Sequence, residues 1–183
     1  VTDERRQVIE TVRARGLVRL AEPVVLASGR MSRDFVDAKA ALARGDDLRL
    51  ACEAILTALG GVEFDAVGGL TMGADAFAHA IAVLTGCEWF VVRKEPKGRG
   101  TNRLMEGARI GPGTRVLLVD DVVTTGGSIQ RAFEAVRATG ATVVAAATVV
   151  DRGDAASRFF AERNVPYVAL ATWRDLDIEP IRE

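Results

Sequence analysis

The sequence predicts an α/β fold: a parallel sheet covered by helices on both faces, with a small N-terminal lobe. Three observations predict it. Short, almost wholly apolar runs such as VLLV (116–119) and TVVAAATVV (142–150) recur along the chain, and strands that apolar are buried on both faces. Each run leads through a glycine-bearing or charged loop into residues spaced as a helix, the alternation that builds strand–helix–strand units. The composition agrees, since 49% of the 183 residues are apolar, 27% are charged and 18 are glycine. That suits one well-cored globular unit and not a disordered chain.

Residues 3–15 place Val8, Ile9 and Val12 on one face and stop at Gly16, so they form a short amphipathic helix. Extended pieces follow at 18–20, 24–26 and 35–36, separated by Pro23 and the turn at Ser28-Gly29, and make an irregular lobe. From about Asp46, Leu48, Cys52, Ile55, Leu56 and Leu59 recur at helical spacing until Gly60-Gly61 ends the run. A strand at 65–67 then leads through GGLTMG into a helix over 74–84. A strand at 89–92 opens a charged loop, and one at 115–119 leads through DDVVTTGGS into a helix over 131–139 closed by Gly140. The β-branched run 142–150, a helix near 155–163 and a strand at 167–171 complete the order. Residues 1–183 thus read as a single domain, with lobe elements over about 1–40 and the α/β core over about 46–175.

Bulk properties exclude several classes of function. A formal net charge of -1 exerts no global pull on nucleic acid or on an anionic membrane. Cys52 and Cys87 have neither disulfide-framework nor zinc spacing, which points to a reducing compartment. The opening VTDERRQVIE carries acids and no apolar run of the secretory kind. The longest apolar stretch, ATVVAAATVV, is too short to span a bilayer. The expectation is a cytoplasmic protein with small-molecule substrates, no nucleic acid and no membrane partner.

Ligands of open parallel sheets bind outside the carboxyl ends of the strands, and four of those ends are polar here. In VLLVDDVVTTGGS (116–128) the acids Asp120 and Asp121 follow the apolar run directly. Neighbouring strand residues face opposite sides, so both acids meet one ligand only if the strand ends at them. Carboxylates accept hydrogen bonds, and a ribose diol offers two donors close together. The following Thr124-Thr125-Gly126-Gly127-Ser128 supplies hydroxyls and backbone N–H groups ahead of a helix, a nest for an anion. Together they describe a ribose 5-phosphate site. A helix N-cap accounts for one Asp, not for the thirteen-residue pattern, and neither GK[ST] nor GxGxxG occurs.

RKEPKGRGTNR (93–103) sets five cations against Glu95. It is either a solvated basic loop or a flexible cationic loop that closes on a departing pyrophosphate. Asp151-Arg152 is either a surface pair or a planar reader of a ligand carboxylate. GGLTMGAD (68–75) turns into a helix and can lay backbone N–H groups against pyrophosphate. His79, Trp89 and Trp173 read as structural, and Cys52 as a core residue.

The 116–128 stretch resembles the phosphoribosyl pyrophosphate (PRPP) signature of type I phosphoribosyltransferases, and RKEPKGRG resembles the catalytic loop of the orotate phosphoribosyltransferase family. LASGRMSRDFVD (26–37) matches that family's SGxxS element and aromatic pair, and the similarity runs in order from about residue 17 to 175. The resemblance implies a parallel-sheet core with an N-terminal hood and the reaction of orotate with PRPP to orotidine 5′-phosphate and pyrophosphate in pyrimidine biosynthesis. It implies ribose and 5′-phosphate binding by Asp120, Asp121, Val122, Val123, Thr124, Thr125, Gly126, Gly127 and Ser128. Arg93, Lys94, Lys97 and Arg99 would meet pyrophosphate, with backbone help from Thr71, Met72 and Gly73. Lys97, Asp120 and Asp121 are the implied catalytic residues, and Phe35, Val36, Thr124 and Arg152 the implied orotate contacts. Mg2+ would arrive on PRPP without a dedicated set of side chains, and the active sites would be shared across a homodimer.

The chain departs from the family pattern at four places: Arg99 stands for a His, Met72 for a frequent Lys, Val36 for a second aromatic residue, and Ala27 for a Lys found in some members. A phosphoribosyltransferase for another base and a PRPP-binding regulator with this fold are the rival readings. Arg152 argues against the first, because a purine has no carboxylate. The retained Lys97 and the lack of an added nucleic-acid-binding element argue against the second.

Overall fold

The computed structural model describes residues 2–25, 29, 31–95 and 104–181. Helix α1 (Asp3–Arg15) starts at Thr2, whose hydroxyl accepts from the Arg5 N–H, and buries Val8 and Val12. Strands β1 (Leu17–Val25) and β2 (Met31–Val36) form an antiparallel two-stranded ribbon with an irregularity between Arg19 and Val24. The extended pieces read from the sequence are therefore one ribbon, regular on both sides of Pro23. A four-residue helical turn, α2 (Ala38–Ala41), follows, with Asp37 as its cap. It has no counterpart in the sequence reading.

Helix α3 (Gly45–Ala58) leads to β3 (Ala66–Leu70), α4 (Asp75–Thr85), β4 (Glu88–Val92) and β5 (Met105–Gly107). Then come β6 (Arg115–Val123), α5 (Gly127–Ala138), β7 (Thr142–Asp151), α6 (Ala155–Ala161) and β8 (Tyr167–Thr172). The six-stranded sheet has the order β5-β4-β3-β6-β7-β8, and only the edge strand β5 is antiparallel to its neighbour. The sequence reading has no β5.

The apolar runs alternate between two buried faces, as a period of two requires. Leu117, Val119, Ala145 and Ala147 pack with Val12 of α1, Ile55 of α3 and Ile81 of α4. Val116, Leu118, Ala146 and Phe90 pack with Ile129 and Phe133 of α5 and Phe160 of α6. Leu117, Leu118 and Ile55 are fully buried, and each such side chain contributes about 1.5–3 kcal/mol. This two-sided core fixes β3, β6 and β7 side by side, with their carboxyl ends toward one edge.

Candidate active site

Strand β6 does not end at the two acids. Its pairing with β7 continues through Asp120↔Thr148 and Val122↔Val150 to Val123↔Asp151, which corrects the condition that the strand must stop for both carboxylates to meet one ligand. Both side chains instead bend onto their own backbone. Asp120 Oδ1 accepts from the Asp121 N–H at 3.0 Å, and Asp121 Oδ1 accepts from the Val122 N–H at 2.7 Å. The two Oδ1 atoms converge beside Gly73, lying 2.4 and 2.6 Å from where a Cβ at that residue would stand. Strand alternation is overridden by local hydrogen bonds and by the β3–α4 loop pressing from one side.

A cavity of about 560 Å³ opens over this point. Asp120 and Asp121 form its floor, Thr124 through Ser128 one wall, and Phe35 and Val36 from the ribbon another, with Arg152 at its margin. The wall loop enters α5 through Gly126, whose φ of 77° lies in the left-handed region that favours glycine. The helix thus starts four residues earlier than the sequence pattern predicts, and its N-terminal N–H groups face the cavity.

Arg152 is only 1% exposed. Its N–H donates to Val123 O at 2.8 Å, its carbonyl accepts from the Ile181 N–H at 2.7 Å, and its guanidinium donates to Ser32 Oγ at 3.1 Å. Burial lowers its pKa, and the nearby Asp34 charge partly offsets this. Behind it Asp151 is held by Tyr167, whose hydroxyl donates to Asp151 Oδ2 at 2.9 Å, and by the Gly153 N–H at 3.0 Å. The alternative of a surface Arg–Asp pair is therefore excluded by geometry: the guanidinium and the Asp151 carboxylate have different partners.

A second hollow, of about 540 Å³, is lined by Thr71, Met72, Arg93 and Lys94 together with Glu106. Arg93, one residue past the end of β4, pairs with Glu106 of β5 at 3.0 Å. Met72 is 72% exposed, and the peptide joining it to Thr71 is cis. Gly73 joins this hollow to the acid pair through the chain. The structure therefore brings the expected residues to one edge of the sheet, in two neighbouring groups. Lys97 and Arg99 lie outside the described residues, as does Ala27.

Four cavity residues escaped the sequence reading: Asp37, Lys39, Ile129 and Arg131. Lys39 of α2 donates to Asp121 Oδ2, and Arg131 of α5 stands on the cavity wall. His79 lies edge-on against Trp89, with ring centroids 4.5 Å apart, outside the cavity. Cys52 is fully buried and its thiol is pushed up to about 12 by burial, as a core residue requires. Among the described residues no group of three or more His, Cys, Asp or Glu gathers around a point where a metal could sit. Nor is any helix there long and apolar enough to cross a membrane.

Burial, and then the neighbouring Asp121 charge, push the Asp120 carboxyl up to about 8. An unfolded Asp titrates near 4, so between about pH 4 and 8 the folded chain binds the extra proton. Stability tied to this group is full below pH 4 and falls as pH rises through that window. Asp120→Asn, which cannot ionise, is expected to gain on the wild type by roughly 3 °C or more between pH 5 and 8, read as melting temperature. A melting difference that stays constant across that range would refute the assignment.

A phosphoribosyl transferase domain model matches residues 43–161. Among curated relatives, an orotate phosphoribosyltransferase of Streptomyces coelicolor is 40% identical over 174 residues, covering 92% of this chain and 94% of the relative. One from Aquifex aeolicus is 38% identical over 173 residues, covering 91% and 94%. Among solved structures, Mycobacterium tuberculosis H37Rv orotate phosphoribosyltransferase in complex with PRPP superposes with a TM-score of 0.78 and 34% identity, over 96% of this chain and 99% of that one. With such identity along nearly the whole of both chains, and with the acid pair and glycine loop at the carboxyl edge of the sheet, the chain belongs to the phosphoribosyltransferase family, among the orotate phosphoribosyltransferases.

Proposed function

We propose that the chain transfers the phosphoribosyl group of PRPP to orotate, forming orotidine 5′-phosphate and releasing pyrophosphate. The observation that carries this reading is Arg152, a buried guanidinium at the margin of the cavity that holds the acid pair and the Thr124–Ser128 loop. A buried fork of N–H donors suits a flat ring bearing a carboxylate. Phe35, 43% exposed and on the cavity wall, offers an aromatic surface to that ring.

In the reaction a ring nitrogen of orotate gives up its proton to solvent and forms a bond to the ribose anomeric carbon. The bond from that carbon to the pyrophosphate oxygen breaks, and its electron pair leaves with pyrophosphate. The ribose carries positive charge in the transition state, and in this reading the acid pair faces the ribose as that charge develops. Arg93 and Lys94, joined by Lys97 and Arg99 of the following loop, supply positive charge for the leaving group. These contacts act by stabilising charge separation, not by covalent chemistry.

The acid pair's oxygens are largely engaged already, by Lys39 and by two backbone N–H groups. A divalent cation here is accordingly read as carried by the oxygens of PRPP, with waters, which is how Mg2+ commonly binds phosphates. Bound in that way, it would supply positive charge to the departing pyrophosphate. We read the active unit as a homodimer, because the family resemblance has the 93–103 loop reach a neighbouring subunit.

The test is loss of orotate absorbance with PRPP and Mg2+, run beside adenine. Orotate is expected to be consumed with release of one equivalent of pyrophosphate, adenine is not, and chelation with EDTA is expected to stop turnover. Turnover of adenine alone overturns the choice of base, and PRPP binding without turnover of either base supports the regulator.

A further inference from the structure

Asp121 has a partner that no catalytic role assigned above requires. Lys39 reaches it from α2, the short turn between the ribbon and α3, across 82 positions of sequence, and donates to Asp121 Oδ2. The other oxygen of Asp121 is taken by the Val122 N–H. The carboxylate is thereby held from both ends, while Asp120 beside it receives one backbone N–H. Lys39 is 49% exposed along its side chain whereas Asp121 is 11% exposed, so the ammonium brings charge from the solvent side onto a buried acid.

The groups around the ammonium are acids. Asp37 caps its own turn, and Asp120 and Asp121 face it from β6. Tyr167, hydrogen-bonded to Asp151, lies behind Asp120 on the far side. Burial alone lowers the Lys39 pKa, but the hydrogen bond and charge of Asp121, then Asp37 and Asp120, outweigh it and raise the net value. Lys39 therefore stays protonated throughout the neutral range.

Resting on the PRPP-binding reading above, we propose that Lys39 is a positioning residue: it fixes the Asp121 carboxylate in orientation beside Asp120, so that the pair presents its oxygens to the ribose diol. Two adjacent buried carboxylates resist both being charged. The Lys39 charge works against the pKa rise at Asp120, lowering the pH at which its carboxyl gives up the proton. The ribbon–α2 unit thus does more than cover the base, because it supplies the cation that readies the ribose site.

The experiment is calorimetric titration of PRPP with Mg2+ into wild type, Lys39→Met, Lys39→Gln and Lys39→Arg from pH 6 to 9. Methionine keeps the apolar stem, glutamine keeps a hydrogen bond without the charge, and arginine keeps the charge. Titration of PRPP itself is common to all four proteins and drops out of the comparison. The Met and Gln variants are expected to bind at least tenfold more weakly near pH 6.5. Their deficit is expected to shrink toward pH 9, because their acid limb moves up by about one pH unit. Arginine is expected to restore most of the binding.

A deficit of equal size at every pH overturns the proposal, since it identifies Lys39 as a direct contact to the polyanion. Unchanged binding overturns it as well. Because binding is read without a base, a failure of orotate turnover in the wild type leaves this result standing. Wild type that binds no PRPP sinks the functional reading itself.

Discussion

Replacing Arg152 with methionine is expected to lower kcat/KM for orotate by about two to three orders of magnitude while leaving KM for PRPP within about twofold. Arg152 is 1% exposed, and its Nε has no hydrogen-bond partner among the described residues. A buried donor without a partner costs about 1–3 kcal/mol, and a ligand carboxylate at the cavity margin would relieve that cost. Losing a buried charge-assisted contact of this kind removes roughly 3–4 kcal/mol, and each 1.36 kcal/mol is tenfold in rate. The fold is not expected to suffer. Exchanging a buried charge for an apolar side chain of similar length is often neutral or stabilising, so the melting temperature of Arg152→Met is expected to hold or rise. Steady-state kinetics with each substrate varied in turn, beside a thermal melt, checks both halves. A variant that melts normally and keeps wild-type kcat/KM for orotate removes Arg152 from base recognition.

What the sequence made legible follows from length and period. The runs at 116–119 and 142–150 carry enough apolar residues to announce buried strands whatever their partners, and α1 and α3 carry several turns of amphipathic spacing. Three residues of β5 and four of α2 are too few to show any period. The end of β6 was misjudged for a different reason. Two charges mark a strand end when they must reach water, but Asp120 and Asp121 stay in the sheet because backbone N–H groups and Lys39 satisfy them.

The site divides along the same line. Asp120, Asp121, the TTGGS loop and Arg152 are visible in sequence because their chemistry stands next to an apolar strand that has to emerge somewhere. Lys39 in DAKAALAR looks like any solvated lysine, and only the packing of α2 against β6 brings it to Asp121. Ser32 likewise gains its role from the ribbon, which places its hydroxyl under the Arg152 guanidinium. From the sequence, Gly73 is a backbone donor for pyrophosphate. The structure adds a second demand at that residue, close approach to the acid pair.

That second demand makes Gly73→Ala a one-carbon change aimed at the acid pair itself. Its Cβ would stand 2.4 Å from Asp120 Oδ1 and 2.6 Å from Asp121 Oδ1, distances real side chains do not tolerate. The acids cannot simply rotate aside. Asp120 Oδ1 holds the Asp121 N–H, Asp121 Oδ1 holds the Val122 N–H, and Asp121 Oδ2 is held by Lys39. Freeing either carboxylate strands a buried partner at about 1–3 kcal/mol, and the other escape is for the 71–73 loop to lift away. Either route separates the pyrophosphate-side loop from the ribose-side acids. The expected result is a fall of roughly 100-fold or more in kcat/KM for PRPP, with a melting temperature lower by about 4–8 °C. Gly45→Ala is the matched control: it adds the same methyl in the first turn of α3, where a Cβ meets nothing within 4 Å. It is expected to keep full activity and to melt at the same temperature or slightly higher. If Gly73→Ala instead turns over like the wild type, the acid pair does not need its tight contact with this loop, and the two hollows work independently.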